Sequence, residues 1–144
     1  MPNRADIVKL ARSFIGTPFQ HQGRLPAIGL DCGGVPVIIG NQLGIAPKNF
    51  DFKDYDTYPD PRMVRRVLTE NLETISGGLP AALEGDVLLV SDGGFAVHMG
   101  ILAEKNGYRT IIHASNRDGG VVEHIIDAAF ARLIRGVFRA RGIE

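Results

Sequence analysis

The chain has 144 residues, 44% of them hydrophobic and 22% charged, which suits one ordinary folded domain spanning residues 1–144. Sixteen basic residues balance sixteen acidic ones, so the formal net charge is zero. This balance excludes the strongly positive surface that nucleic acid or an acidic membrane attracts, and we expect neither as a partner. The single cysteine excludes an internal disulfide and a four-cysteine zinc site.

The N-terminal segment carries charges at Arg4, Asp6 and Lys9 and has no apolar signal-peptide core. No stretch of the sequence approaches the roughly 20 apolar residues of a membrane span. We therefore expect synthesis in the cytoplasm without a signal peptide. Any action outside the cell would then need another means of delivery.

A first helix is predicted at the start of the chain. Apolar residues recur at helical spacing from Arg4 to Phe14, with Asn3 as a possible cap. The segment Gly16-Thr17-Pro18 ends this helix. Residues 19–30 are expected to form a loop, since they contain several glycine and proline residues.

A second helix is predicted directly after Cys32, and Gly44 suits its C-terminal end. Pro36 would remove a backbone hydrogen bond and crowd the preceding turn if it lay deep inside this helix. The helix is therefore expected to begin at Gly33 or Gly34. This places Cys32 at the N-terminus of the helix or just before it.

The middle of the chain predicts a surface segment followed by a third helix. Residues 45–60 are rich in aspartate and proline and read as an excursion over the surface. Asp60-Pro61 marks a helix start, with proline at the first helical position. Gly77-Gly78 is expected to close this helix.

The last third of the chain predicts strands. The candidate strands are short, aliphatic or β-branched, and bounded by glycine, asparagine or aspartate. They are Asp86–Val90, Phe95–Leu102, Tyr108–Ala114, Val121–Ile125 and Arg135–Arg139. Helices followed by strands predict an α+β fold with an antiparallel sheet.

Cys32 is the first candidate for chemistry. A thiol at a helix N-terminus meets unpaired N–H groups and the positive end of the helix dipole, which favour the nucleophilic thiolate. Gly33 and Gly34 follow Cys32 and leave room for a substrate and for a developing oxyanion. We therefore expect Cys32 to alkylate readily at mildly acidic pH. A glycine pair that only serves a tight turn would be the alternative.

Two histidines can be placed relative to each other by a hairpin. Asn106-Gly107 is a strong hairpin signal, and with these residues at the turn centre His98 lies opposite Ser115. His113 then points to the same face as His98, at the roughly 7–8 Å Cα separation of diagonal neighbours. One imidazole could orient the other, as the third member of a nucleophile–base–orienter triad does.

These residues together resemble the NlpC-type cell-wall peptidases, a papain-like family that hydrolyses peptide bonds in peptidoglycan stems. The resemblance runs from Ala11 to Phe138. The motifs that carry it are Gly16-Thr17-Pro18-Phe19, Asp31-Cys32-Gly33-Gly34, Gly85-Asp86-Val87, His98-Met99-Gly100-Ile101 and Ile112-His113-Ala114-Ser115. The resemblance implies a papain-like fold in which N-terminal helices pack on a C-terminal antiparallel sheet of about five to six strands.

The resemblance also implies the catalytic roles. Cys32 would attack the scissile carbonyl, His98 would act as base and then as acid, and His113 would orient His98. Family members commonly cut after γ-linked D-glutamate, before the diamino acid. Peptidoglycan stem peptides would then be the substrate, and neither a cofactor nor a metal is expected.

The same resemblance implies a set of substrate-binding residues. Asp31 stands where the family recognises the free amine of the substrate, although it could also cap a helix. Phe19 replaces the family's tyrosine and Gly33 its serine, and both are expected to lie where the substrate is recognised. His21 and Ser115 are also expected to lie near the bound substrate.

The segment His21-Gln22-Gly23-Arg24 resembles the loop of a branch found in phage tails and gene-transfer particles. The partners expected from this branch are proteins of a phage-tail or gene-transfer particle. Such a particle would deliver the enzyme to the cell wall and would explain the missing signal peptide.

Three alternatives stay open at this point. A papain-like acyltransferase or amidase could use the same triad on another substrate. A non-catalytic component of a phage tail could keep the fold with a decayed site. A metal site built from Cys32, His98 and His113 with His21 or His124 is a third option, although no His-Glu-x-x-His or paired-cysteine spacing favours it.

Overall fold

A six-stranded antiparallel sheet with helices on it forms the body of the molecule. The computed structural model describes residues 1–144. Its helices are α1 (Arg4–Ser13), α2 (Gly34–Leu43), α3 (Pro61–Asn71) and α4 (Ala128–Ala131). Its strands are β1 (Arg24–Leu25), β2 (Gly29–Leu30), β3 (Glu73–Thr74), β4 (Val87–Asp92), β5 (Phe95–Lys105), β6 (Tyr108–Ser115), β7 (Gly120–Ile125) and β8 (Ile134–Arg139).

The strands of the main sheet are ordered β3-β8-β4-β5-β6-β7, and all its pairs are antiparallel. Strands β1 and β2 form a separate hairpin. The predicted α+β fold with N-terminal helices and a sheet of five to six strands is therefore confirmed. No helix combines the length and the apolar character that crossing a membrane requires.

The sheet is buried on both faces. The main core cluster joins the inner sides of α1, α2 and α3 to alternate residues of the central strands, such as Leu89 of β4 and Ile101 of β5. The intervening residues, such as Leu88 and Leu102, belong to a smaller cluster on the opposite face, where Phe130 of α4 packs. Because successive side chains of a strand point to opposite faces, one strand can serve both clusters.

The β5–β6 hairpin follows the predicted register over its outer half. Asn106 and Gly107 have φ angles of 55° and 81°, and the strands pair from Lys105 with Tyr108 to Ile101 with Ile112. The β5–β6 pairing ends there, so the expected pairing of His98 with Ser115 is not part of the ladder. His98 pairs instead with Val90 of β4, and Ser115 pairs with Gly120 of β7.

The third helix is shorter than the sequence indicates. It begins at Pro61, as predicted, with the Asp60 side chain accepting the backbone N–H of Arg62. It ends at Asn71, and the predicted end at Gly77-Gly78 is wrong. Leu72 is extended, and residues 73–74 pair with β8 because the edge of the sheet offers backbone partners that local sequence does not reveal.

The segment 19–30 also departs from the prediction, since it is more than a loop. It contains the hairpin of β1 and β2, and its flanks are joined to the rest of the fold. Pro18 forms a bridge to Gly120 at the start of β7, and Phe19 forms a parallel bridge to Leu30. These bridges hold the hairpin beside the segment that leads into Cys32.

Candidate active site

The predicted position of Cys32 at a helix terminus is confirmed. Helix α2 begins at Gly34, with Gly33 as the N-cap, and it ends at Gly44 in the left-handed conformation. The half-buried thiol of Cys32 lies 3.9 Å from the carbonyl oxygen of Val97, the residue immediately before His98. The N-terminus of α2 therefore places Cys32 beside the first residues of β5, in the part of that strand that does not pair with β6.

The rings of His98 and His113 meet on the face of the sheet opposite α1–α3. Nε2 of His98 lies 2.5 Å from Nδ1 of His113, and the ring centroids are 4.8 Å apart with an angle of 73° between the planes. Gly100 permits this contact, since a Cβ atom there would lie 2.9 Å from Cβ of His113 and 2.7 Å from the Ile111 side chain. The expected proximity of the two histidines is thus present, and their catalytic roles stay a prediction.

Burial controls the charge state of these groups. It raises the pKa of the Cys32 thiol to about 12, and the neighbouring Asp31 carboxylate adds to the rise. Backbone N–H groups of Met99 and Gly33 act in the opposite direction. This loss of hydration opposes the helix terminus and acts against the expected thiolate at mildly acidic pH, while the alkylation behaviour of Cys32 stays a prediction.

The two imidazoles are also held neutral. Burial lowers the pKa of His98 to about 4. Burial lowers the pKa of His113 to about 3, and the neighbouring rings of His98 and His124 contribute to the decrease. At neutral pH the resting site therefore contains a thiol and neutral imidazoles, and proton transfer from Cys32 must accompany attack on a substrate.

Asp31 is the centre of a buried polar cluster. Its carboxylate, 4% exposed, accepts hydrogen bonds from the backbone N–H groups of Gln22 and Gly34, each at 2.8 Å, and from the Tyr55 hydroxyl. It also pairs with the Arg24 guanidinium at 2.7 Å. Asp31 thus accepts the N–H of Gly34, the first residue of α2, although Gly33 and not Asp31 is the N-cap. Recognition of a substrate amine by Asp31 stays a prediction.

Arg24 and Tyr55 hold part of the excursion over this cluster, and we call residues 50–56 the strap. Arg24 donates to the Asp51 carboxylate at 2.8 Å, to the Phe52 carbonyl at 2.8 Å and to the Tyr55 hydroxyl at 2.9 Å. Gln22 donates to the carbonyl of Tyr55 at 2.8 Å. These contacts make the strap a wall next to Cys32, where the sequence left its role open.

The strap also explains why glycine follows the cysteine. A Cβ atom at Gly33 would lie 2.9 Å from Cζ of Phe52, closer than real Cβ contacts. The space that a serine would use is thus filled by the Phe52 ring. Gly33 and Phe52 therefore form one steric unit beside Cys32.

The other predicted substrate-binding residues lie in different surroundings. Phe19 is partly buried and packs against the main core. His21 is exposed, and the edge of its ring faces Tyr55 at a centroid distance of 5.6 Å. Ser115 is buried, and its hydroxyl accepts the backbone N–H of Asp118 at 3.2 Å in the β6–β7 turn. Contact of these residues with substrate stays a prediction.

The sequence suggested a role for His124 only as one option for a metal ligand, and its contact with His113 was not predicted. Nε2 of His124 lies 2.9 Å from Nε2 of His113. In the β6–β7 hairpin, His113 pairs with Val122 and Ile111 pairs with His124. The diagonal argument used for His98 would therefore have placed His124 on the His113 face, had the β6–β7 register been known.

No group of three or more histidine, cysteine, aspartate or glutamate side chains has an arrangement that could hold a metal ion. Nε2 and Nδ1 of His113 each face a nitrogen of another histidine ring. The ring nitrogens of these histidines are therefore hydrogen-bonded to one another and do not point toward a common metal position.

Known proteins match the chain in structure rather than in sequence. No protein-family model and no curated protein sequence matches it. The NlpC/p60 domain of the peptidoglycan hydrolase SagA matches with a TM-score of 0.65 and 25% identity, over 95% of this chain and 98% of that one. An NlpC/p60 family protein from Bacillus cereus matches with a TM-score of 0.67 and 19% identity, over 96% of this chain and 40% of that one.

The chain has the NlpC/p60 papain-like fold. A further neighbour with this arrangement is an N-acetylmuramoyl-L-alanine amidase from Bacteroides uniformis, with a TM-score of 0.57 and 12% identity over 94% of this chain and 96% of that one. The neighbours support the NlpC family indicated by the motifs around Cys32 and His98. The phage-tail branch stays a prediction.

Proposed function

We propose that this protein is a peptidoglycan hydrolase that cleaves amide bonds of stem peptides with Cys32 as the nucleophile. The observation that carries the proposal is the placement of the Cys32 thiol against the backbone of β5 next to His98, whose ring is bonded to His113. The fold neighbours, among them the NlpC/p60 domain of a peptidoglycan hydrolase, support the substrate class.

In the proposed reaction the thiol of Cys32 loses its proton to His98 as the sulfur attacks the scissile carbonyl. Because Nε2 of His98 is bonded to His113, Nδ1 is the ring nitrogen left to receive this proton. His98 then protonates the leaving amine, and an acyl group remains on the sulfur. Water activated by His98 hydrolyses the thioester and restores the free enzyme.

The helix terminus supplies a donor for the developing oxyanion. The backbone N–H of Gly34 donates to the backbone carbonyl and to the side chain of Asp31, and that of Val35 donates to the same carbonyl. The backbone N–H of Cys32 has no acceptor within the protein. It is therefore the group that we assign to stabilise the negative oxygen of the tetrahedral intermediate.

We further propose that the bond cleaved joins γ-linked D-glutamate to the diamino acid, as the family resemblance implies. A free amine on the substrate would be directed at Asp31. The carboxylate oxygens of Asp31 are already hydrogen-bonded within the protein, among others to Arg24 and Tyr55. Binding of an amine there would thus require the strap to shift, which ties substrate selection to residues 50–56.

The test is mass spectrometry of the soluble fragments released from purified peptidoglycan by the wild-type protein and by Cys32→Ala. We expect fragments that end at the γ-glutamyl position, and only with the wild type. Release by both proteins would refute Cys32 as the nucleophile. No release by the wild type, with a control enzyme cutting the same substrate, would refute the hydrolase.

A second candidate is an amidase or acyltransferase with the same triad, and the amidase from Bacteroides uniformis among the fold neighbours favours it. Fragments in which the stem is separated from the sugar would identify this activity in the same experiment. A non-catalytic tail component is the outcome if neither kind of fragment is formed. Delivery by a phage-like particle stays a prediction from the loop that begins at His21.

A further inference from the structure

His124 continues the line of imidazoles beyond His113 toward the edge of the sheet. It lies on β7, which is the edge strand. Both of its ring nitrogens are in contact with the protein, since Nε2 faces Nε2 of His113 at 2.9 Å and Nδ1 faces the carbonyl oxygen of Ile125 at 3.0 Å. The Phe130 ring lies against His124 edge-on, with the centroids 5.0 Å apart.

The carbonyl of Ile125 determines how hydrogen atoms are distributed along this line. A carbonyl oxygen only accepts, so Nδ1 of His124 must carry the hydrogen. A neutral imidazole carries one such hydrogen, which leaves Nε2 of His124 as an acceptor. Nε2 of His113 must therefore donate to it.

The same reasoning, applied to the contact between His113 and His98, determines the tautomer of His98. With its hydrogen on Nε2, His113 has an acceptor at Nδ1, and so Nε2 of His98 must donate. Nδ1 of His98 is then left without a hydrogen, which is the state that a base for Cys32 requires. All contacts along the line are satisfied only in this one arrangement of neutral tautomers.

We propose that His124 is a positioning residue that acts through His113 to hold His98 in the tautomer with a free Nδ1. This inference rests on the proposed function, because it concerns the same nucleophile and base. His124 does not touch the reacting atoms. Its contribution is to remove the alternative tautomer, in which Nδ1 of His98 carries the hydrogen and cannot accept the proton of Cys32.

The direct test is ¹⁵N nuclear magnetic resonance of the imidazole nitrogens in the wild-type protein at neutral pH, which needs no substrate. We expect hydrogen on Nε2 of His98 and His113 and on Nδ1 of His124. Hydrogen on Nδ1 of His98, or on Nε2 of His124 alone, would overturn the inference.

Two variants test the consequence for reactivity. His124→Gln keeps an acceptor oxygen within reach of His113, whereas His124→Leu has similar bulk and no acceptor. Since Cys32 is the only cysteine, its alkylation by iodoacetamide reports on the thiol alone. We expect His124→Leu to lower the alkylation rate at neutral pH by about three- to tenfold, the worth of one hydrogen bond. His124→Gln should stay close to the wild type.

Equal alkylation rates in the two folded variants would overturn the inference. If His124→Leu does not fold, the tautomers of His98 in the wild type and in His124→Gln decide the matter. Peptidoglycan cleavage is measured separately, with kcat expected to fall in His124→Leu while KM is unchanged. Tautomers and alkylation as predicted, without cleavage by the wild type, would refute the proposed function and leave the role of His124 intact.

Discussion

Removal of the Arg24 charge should destabilise the fold far more than removal of a surface arginine. In the pair of Arg24 with Asp31 the side chains are 9% and 4% exposed. The substitution Arg24→Met keeps the aliphatic stem and leaves the Asp31 carboxylate buried without a cation. Breaking a buried pair in this way costs about 3–5 kcal/mol. We expect about 3 kcal/mol, the lower end of that range, because Asp31 keeps its hydrogen bonds from Gln22, Gly34 and Tyr55.

The assay is urea unfolding at neutral pH, with the free energy of unfolding compared between the wild type and the variant. Arg62→Met is the matched control, since Arg62 and Asp60 also form an ion pair but their side chains are 89% and 49% exposed. This control should leave the free energy of unfolding close to that of the wild type, because water and salt screen an exposed pair. A loss below about 1 kcal/mol for Arg24→Met, similar to that of the control, would refute the structural importance of the Asp31 cluster.

Three more results are expected from the same site. Gly33→Ala should lower the free energy of unfolding in urea by about 1 kcal/mol or more, because the added Cβ meets the Phe52 ring, and by less in a Phe52→Leu background. Equal losses in the two backgrounds would show that the added methyl group does not collide with the Phe52 ring. The free energy of unfolding should fall as pH decreases from about 6.5 toward 4, because His98 and His113 bind protons in this range in the unfolded state but not in the folded one. Burial lowers their pKa values in the folded protein to about 4 and 3. The same dependence of stability on pH in the doubly substituted His98→Asn, His113→Asn protein would contradict this. The rate of Cys32 alkylation should keep rising with pH beyond about 8.5, where an ordinary thiol titrates, because burial raises the pKa of Cys32 to about 12. A rate that reaches a plateau at mildly acidic pH would refute the burial argument.

Local sequence rules predict well the elements that carry the three candidate catalytic residues. Pro36 and the two glycines fix the start of α2, and so place Cys32 before its first turn. Asn106-Gly107 sets the β5–β6 register by a two-residue turn, which brings His98 and His113 to one face. In both cases a few adjacent residues restrict the backbone enough to determine the outcome.

The parts that sequence did not predict depend on contacts between distant segments. Arg24 meets Tyr55 of the strap across 31 positions, and nothing near either residue signals the partner. The end of α3 is decided by the pairing of residues 73–74 with β8, which also lies far along the chain. The raised pKa of Cys32 likewise reflects burial by the assembled fold, which the dipole argument from α2 alone does not contain.

The role of Cys32 as nucleophile is tested most directly by the rate at which a purified muropeptide is cleaved by the wild type and by Cys32→Ala. Both proteins must give the same circular dichroism spectrum and the same unfolding midpoint. We predict that the substitution lowers the cleavage rate by about a thousandfold or more, since no other side chain can form the acyl intermediate. Cleavage by Cys32→Ala within about tenfold of the wild type would contradict that role, because a true nucleophile cannot be replaced at so small a loss.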